Sequence, residues 1–144
     1  MRREYPVLPI VGVAAIVFSD GKVLLVRRGN EPGRGRMGLP GGVIELGESV
    51  EQAVIREVKE ECGIEIKPLR IVAVRDSITY DEFGKIRFHY ILVNFLCSTT
   101  HNVVFPSSDV LDAKWIKIDD LEKEGISSSL SKFIKNTLAR QWIV

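Results

Sequence analysis

Four of the six glutamates between residue 42 and residue 64 have a spacing that could gather them at one site. They are Glu48, Glu57, Glu60 and Glu61. The last three recur at intervals of three and four residues, which place side chains on one side of a helix. Carboxylate oxygens at this density suit Mg²⁺ or Mn²⁺, which bind a few protein ligands and keep water or phosphate in their remaining positions. A solvated acidic helix face is the alternative interpretation of the acids alone.

The segment from Ser49 to Cys62 is predicted to be the helix that carries three of these acids. It contains neither Gly nor Pro, and Ser49 with Gln52 has the spacing of a capping box. Gly63 follows at the position where a C-cap glycine is expected. An apolar stripe for the core lies beside the acids and consists of Val50, Val54 and Val58.

Features around the acids favour a bound cation over a solvated face. Glutamates at these spacings repel one another and gain nothing from the helix dipole near the C-terminal end, so a compensating positive charge is expected. The turn at Gly41-Gly42 exposes backbone carbonyls just before the helix. Arg56, next to Glu57, can pair with a carboxylate and orient it.

Taken together, these residues resemble the signature of the Nudix hydrolases. That signature reads G-x5-E-x7-R-E-U-x-E-E-x-G-U, in which U is an aliphatic residue, and this sequence fills every fixed position. Leu39-Pro40-Gly41 resembles the usual lead-in of the family, whereas Met37 stands where the family often has Trp. The matching residues are Gly42, Glu48, Arg56, Glu57, Val58, Glu60, Glu61, Gly63 and Ile64.

The resemblance implies a Mg²⁺- or Mn²⁺-dependent hydrolase that cleaves a diphosphate linkage with water as the nucleophile. Glu57 and Glu61 would be the principal metal ligands, and Arg56 would orient the carboxylates. Glu60 would bind the metal directly or through water, and Glu48 would support the site from the start of the helix. The implied metal-site residues are Gly42, through its carbonyl, Glu48, Glu57, Glu60 and Glu61.

One further acid is implied outside the signature, because many members of the family place an additional ligand or general base in a loop before a late strand. Asp109 is the leading candidate and Asp112 the second, with Asp81 and Glu82 behind them. An acid that follows two serines could equally be a turn residue.

Candidate substrate contacts lie on both sides of the signature. Arginine matches phosphate geometry, so the basic residues before the helix could bind substrate phosphates, although surface ion pairs are the alternative. Tyr80 resembles a marker of dinucleoside polyphosphate hydrolases, and it could equally be a packing residue of an edge strand. The basic candidates are Arg27, Arg28, Arg34 and Arg36.

Substrate choice stays open at this stage. The run from residue 27 to residue 35 is similar to small ADP-ribose pyrophosphatases, so ADP-ribose or a related nucleotide is the leading expectation. Oxidised nucleoside triphosphates and dinucleoside polyphosphates are alternatives within the family. A non-catalytic module that senses a nucleotide is an alternative of another class, although the complete signature counts against it.

The elements needed to position these residues alternate along the chain. Apolar, β-branched runs predict strands, and the final segment has a broad apolar helical face. These elements predict an α/β/α sandwich with a mixed sheet, the Nudix fold, over one domain of 144 residues. The predicted elements are a hairpin of strands 11–18 and 22–28, a loop 29–38, a strand 65–77, a turn 78–84, strands 85–97 and 114–118, a short helix 119–124 and a helix 127–142 that includes Trp142.

The composition argues against some classes of partner but does not indicate a function. With 45% hydrophobic and 27% charged residues and a net charge of +1, the chain has no global field that would favour nucleic acid or an anionic membrane as a partner. A cytoplasmic location is expected, and a homodimer is a possibility that the family suggests. Cys62 and Cys97 are expected to be buried reduced thiols, and His89 is expected to be a packing residue.

Overall fold

A mixed sheet lies between two helices in the computed structural model, which describes residues 2–107 and 110–141. Seven strands belong to this sheet within the described residues. In chain order the elements are β1 (Ile10–Ser19), β2 (Lys22–Arg28), β3 (Met37–Gly38), β4 (Gly41–Val43), α1 (Val50–Cys62), β5 (Lys67–Tyr80), β6 (Ile86–Ser98), β7 (Val110–Lys117), a 3₁₀ helix (Ile118–Glu124) and α2 (Ser128–Gln141).

The hairpin of β1 and β2 opens along its length, and this opening positions the glycine turn. The two strands pair only at their connected ends, where Phe18 lies opposite Val23. Further along, β4 pairs with β1 at residues 12–14 and β3 pairs with β2 at residues 26–27. Because β6 and β7 occupy the other sides of β1 and β2, the segment from Met37 to Val43 lies between the two strands of the opened hairpin.

Alternating side chains of the central strand build a core on each face of the sheet. Val13 and Val17 of β1 pack with Val54 and Val58 of α1. Ile16, between them on β1, belongs to the opposite core. That second core also holds Leu25, Leu96, Ile134 and Leu138, which come from β2, β6 and α2. The predicted α/β/α layering is therefore confirmed.

The helix that carries the acids has the predicted ends. The Ser49 side chain accepts a hydrogen bond from the Gln52 backbone at 3.1 Å, and the Gln52 side chain accepts one from the Ser49 backbone at 2.9 Å. Gly63 ends the helix in the left-handed conformation, with φ of 71°, and donates its N–H to the Lys59 carbonyl. These caps satisfy backbone groups that a helix end would otherwise leave unpaired.

Three strands are longer than the sequence predicts, and one of them, β1, extends by one residue at each end to Ile10–Ser19. β5 continues through the predicted turn to Tyr80, because one Asp81 oxygen accepts hydrogen bonds from the backbone of Phe83 and Lys85 and so closes the reversal within five residues. β7 begins at Val110 because its pairing with β2 extends to Arg28. The final helix is confirmed over Ser128–Gln141, and Trp142 lies outside the described residues.

Cys62 and Cys97 are buried free thiols, as expected. Burial raises the pKa of each thiol to about 12, so neither is a thiolate near neutral pH. Among the helices of the described residues, none has the length and apolar character needed to cross a membrane.

Gly63→Ala is expected to lower the free energy of unfolding by about 1–2 kcal/mol, because a left-handed alanine is strained. Its Cβ would also lie 3.2 Å from the Cβ of Phe105. Gly125→Ala is the matched control, since Gly125 has φ of 78° and no atom within 4 Å of an added Cβ. Urea unfolding followed by circular dichroism should show the larger loss for Gly63→Ala; equal losses would mean that the Phe105 contact contributes nothing.

Candidate functional site

Two adjacent glycines in β4 bring the backbone close to α1. A Cβ on Gly42 would overlap the carboxylate of Glu57, so only glycine allows that carboxylate to rest against the strand. A Cβ on Gly41 would overlap the carbonyl of Val13 on β1. The two glycines therefore fix the distance of β4 from both the central strand and the helix.

Arg56 connects the start of α1 to the acids further along it. Its Nε and Nη2 donate to the two carboxylate oxygens of Glu48 at 2.6 and 2.9 Å, a bidentate pair. Nη1 donates to Glu57 at 2.8 Å and to Glu60 at 3.2 Å. Nη2 also donates to the carbonyl of Val43 at 3.1 Å, which ties the helix to the end of β4.

These contacts give the acids different electrostatic environments. Hydrogen bonds from Arg56, with a backbone hydrogen bond from Glu45, lower the pKa of Glu48 to about 2. Burial raises the pKa of Glu57 above its ordinary value, although the hydrogen bond and charge of Arg56 oppose that rise. Glu57 is therefore the carboxylate whose negative charge is poorly compensated, and a cation beside it would be stabilising.

Glu61 is buried, with 8% of the residue exposed, and accepts a hydrogen bond from the Gly41 N–H at 2.9 Å. Hydrogen-bonded and non-hydrogen-bonded residue pairs alternate along an antiparallel ladder, and the pair of Gly41 with Ala14 is not hydrogen-bonded. The Gly41 N–H therefore points away from β1. Ala15 donates to Pro40 and Ile44 donates to Val11, so Gly42 is the residue whose backbone groups face β1, opposite Val13. The Gly41 carbonyl shares the direction of its N–H, toward the acids.

A charge imbalance results from this arrangement. One guanidinium lies within 3.8 Å of four carboxylates, those of Glu45, Glu48, Glu57 and Glu60. Within residues 2–107 and 110–141, no group of three His, Cys, Asp or Glu side chains is arranged so that it could hold a metal ion. The Nη1 of Arg56 bridges Glu57 and Glu60. The donor set consists of hard oxygens with excess negative charge, which fits a hard divalent cation.

Two of the predicted arginines contact the loop that follows β2. Arg27 donates to the Gly35 carbonyl at 2.7 Å, and Arg28 donates to the Pro32 carbonyl at 2.6 Å. Both side chains therefore hold the loop between β2 and β3 in place. Arg36 is exposed in that loop, and Tyr80 is 60% exposed at the end of β5. No described contact brings these four residues to the acids.

Two of the candidate acids outside α1 lie in different elements. Asp81 holds the turn between β5 and β6. Asp112 lies in β7 opposite Arg27 and accepts a hydrogen bond from the Ala113 backbone. Asp109 lies outside the described residues. Ser107 donates its hydroxyl to the Glu60 carbonyl and its N–H to the Glu61 carbonyl, so Ser107 itself lies at the end of α1.

Two contributors to the site were not predicted from the sequence. One is the Gly41 N–H that binds Glu61, for which the double glycine was the available signal. The other is Arg3, whose positive charge acts on Glu57 and lowers its pKa slightly against the larger effect of burial. No local sequence pattern indicates this effect of Arg3 on Glu57.

Comparison with known proteins agrees with this geometry. The NUDIX domain family matches residues 8–137. The chain belongs to the Nudix family. An ADP-ribose pyrophosphatase from Methanocaldococcus jannaschii is 36% identical over 115 residues, which are 80% of this chain and 66% of that protein. This Nudix chain therefore spans slightly less than two thirds of that relative.

Two other similar proteins act as comparisons for the Nudix domain itself. The nucleoside triphosphatase NudI of Escherichia coli is 28% identical over 130 residues, or 85% of this chain and 92% of that protein. The solved NUDIX domain of Shewanella oneidensis NrtR, in complex with ADP ribose, has a TM-score of 0.73 and 26% identity. That alignment covers 93% of this chain and 89% of the NrtR domain.

Gly41→Ala is expected to destabilise the protein by about 1–3 kcal/mol, because the added methyl group would overlap the backbone carbonyl of Val13, which cannot move aside as the end of a side chain could. Gly38→Ala is the control, since an added Cβ there meets no atom within 4 Å. Urea unfolding of both variants measures the difference. A Gly41→Ala protein as stable as Gly38→Ala would contradict the close approach of β4 to β1.

Proposed function

We propose that this Nudix chain is a divalent-metal-dependent hydrolase that cleaves the diphosphate linkage of a nucleoside diphosphate joined to another group. The observation that carries this proposal is the incompletely neutralised group of carboxylates around Arg56. ADP-ribose is the leading substrate. Support comes from the relative named as an ADP-ribose pyrophosphatase and from the NrtR domain that binds ADP ribose.

The proposed metal ligands are Glu57, Glu61 and the carbonyl of Gly41, with Glu60 completing the site directly or through water. Gly41 replaces Gly42 in this assignment because the backbone of Gly42 is directed at Val13. Bound Mg²⁺ would neutralise phosphate charge and lower the pKa of a water molecule. Glu57 is well suited to this role, because burial disfavours its charge until a cation is present.

Arg56 and Glu48 have a positioning role in this proposal. The bidentate pair fixes the guanidinium, and the guanidinium then holds Glu57 and Glu60 on the same side of α1. Asp109 is the proposed acceptor of the proton from the attacking water, as the family resemblance implies. A cytoplasmic location and a homodimer both stay predictions.

A nucleoside triphosphate is the second candidate substrate, because NudI aligns over 92% of its length and is named as a nucleoside triphosphatase. Both candidates present a phosphoanhydride to the same carboxylates. The two candidate substrates differ in the group that the phosphoanhydride links to the nucleoside. The carboxylates would not distinguish between those groups.

One substrate screen tests the proposal. The protein should be incubated with Mg²⁺ and ADP-ribose, nucleotide sugars, dinucleoside polyphosphates or oxidised nucleoside triphosphates, and the products should be separated by chromatography. We expect hydrolysis of ADP-ribose to AMP and ribose 5-phosphate, lost in EDTA while the circular dichroism spectrum is unchanged. Full turnover in excess chelator, or binding of ADP-ribose without any turnover, would contradict the proposal.

Glu57→Gln and Glu61→Gln should each lower kcat by about 10³-fold, because each removes an anionic ligand of a metal that stabilises transition-state charge. Glu51→Gln is the matched control on the same helix, where Glu51 is exposed in the first turn. All three changes keep side-chain size. Equal rates in the three variants would show that the acids are only a solvated face.

A further inference from the structure

The C-terminal end of α1 is closed by a distant part of the chain. A helix leaves its last four carbonyls without partners inside the helix. In α1 these are the carbonyls of residues 59–62, and each of them accepts a hydrogen bond. Gly63, the C-cap, supplies one of the four donors. The other three belong to the segment of residues 99–107, which follows β6.

Ser107 supplies two of these three donors. Its hydroxyl donates to the Glu60 carbonyl, and its N–H donates to the Glu61 carbonyl at 3.0 Å. The third donor is the Phe105 N–H, which reaches the Cys62 carbonyl at 2.8 Å. Residues two apart in an extended backbone face the same way, so both N–H groups can point at the helix end.

Contacts nearer β6 hold the 99–107 segment against the rest of the fold. The Thr99 hydroxyl donates to the Glu65 carbonyl at 2.6 Å, just beyond the end of α1. The indole N–H of Trp115 in β7 donates to the Asn102 carbonyl at 2.9 Å. The segment is therefore fastened both to the chain that follows α1 and to the sheet.

The two carbonyls that accept from Ser107 belong to two of the proposed metal ligands. The Glu60 carboxylate accepts from Arg56 at 3.2 Å. The Glu61 carboxylate accepts from the Gly41 N–H at 2.9 Å. Each glutamate is thus held at its side chain by a different group, whereas Ser107 holds the backbone carbonyl of both. Because helix ends fray, loss of this contact would release the backbone that carries the two carboxylates.

We propose that Ser107 is a positioning residue of the metal site, which fixes the backbone of Glu60 and Glu61 from outside the helix. The inference rests on the proposed function, because it takes those carboxylates as ligands of a divalent cation. Ser107 acts through the two glutamates and does not contact the cation. Its hydroxyl and N–H keep the last turn of α1 wound, so the cation meets ligands that are already ordered.

Calorimetric titration of the full chain with Mn²⁺ tests this role without any turnover. Ser107→Ala removes the hydroxyl donor and keeps the N–H. We expect its Kd for Mn²⁺ to rise about tenfold, as for other residues that support metal ligands. Ser107→Thr retains a hydroxyl, and the exposed position leaves room for the added methyl group, so this variant should restore the wild-type Kd.

Steady-state hydrolysis of ADP-ribose gives a second readout for Ser107→Ala. The Mg²⁺ concentration for half-maximal rate should rise about tenfold, because the ligands are less well ordered. At saturating Mg²⁺, kcat should be close to the wild-type value, because the bound cation then holds the same carboxylates.

Ser127→Ala is the matched control, because the Ser127 hydroxyl also makes a contact at a helix end. It accepts a hydrogen bond from the Leu130 N–H at 3.1 Å at the start of α2, which packs on the opposite face of the sheet. Each serine-to-alanine change removes one hydroxyl contact, so urea unfolding should show similar losses of stability. Only Ser107→Ala should weaken Mn²⁺ binding.

An unchanged Kd for Mn²⁺ in Ser107→Ala would overturn the positioning role. Equal weakening in Ser127→Ala would also overturn it, because the loss would then follow overall stability, and so would a Ser107→Thr protein that fails to restore the Kd. If the Mn²⁺ pattern holds but the wild type hydrolyses no nucleotide, the proposed reaction fails and the positioning role stands. Wild-type protein that binds no Mn²⁺ would overturn both.

Discussion

The contact between Arg56 and the carboxylates of Glu48, Glu57 and Glu60 is the interaction on which the site depends. A guanidinium can satisfy several acids at once because its donors are fixed in a plane. Here Nε and Nη2 donate to the two carboxylate oxygens of Glu48, and Nη1 donates to both Glu57 and Glu60. One positive charge cannot neutralise this group. The arrangement therefore keeps the carboxylates together while leaving negative charge for a cation.

The backbone next to α1 imposes a second constraint, which comes from the sheet. The hairpin of β1 and β2 opens and admits β4, and the register of β4 on β1 decides which glycine backbone faces the acids. Gly42 has no side chain, so Glu57 can lie against the strand in a poorly solvated position. Burial of Glu57 thus follows from strand register and from the absence of one methyl group. The electrostatics of the site are in this way a product of the fold.

Local features of the chain were predictable, and long-range ones were not. The capping residues Ser49 and Gly63 and the helical spacing of the acids are determined within a few turns of helix, so the sequence predicts them correctly. The use of Arg27 and Arg28 to hold a loop depends on carbonyls that only the fold brings near. The direction of the Gly41 and Gly42 carbonyls depends on pairing with β1. The hydrogen bond from Tyr5 to Asp81 joins residues that are more than seventy positions apart.

Anomalous scattering from crystals soaked in Mn²⁺ would test the central claim most directly, because it locates the cation independently of any activity. The account predicts an anomalous peak bounded by the carboxylates of Glu57 and Glu61 and by the carbonyl of Gly41. It also predicts that the peak is absent from crystals of Glu57→Gln protein soaked in the same way. A peak at other carboxylates, or no peak at saturating Mn²⁺ in wild-type crystals, would contradict the account.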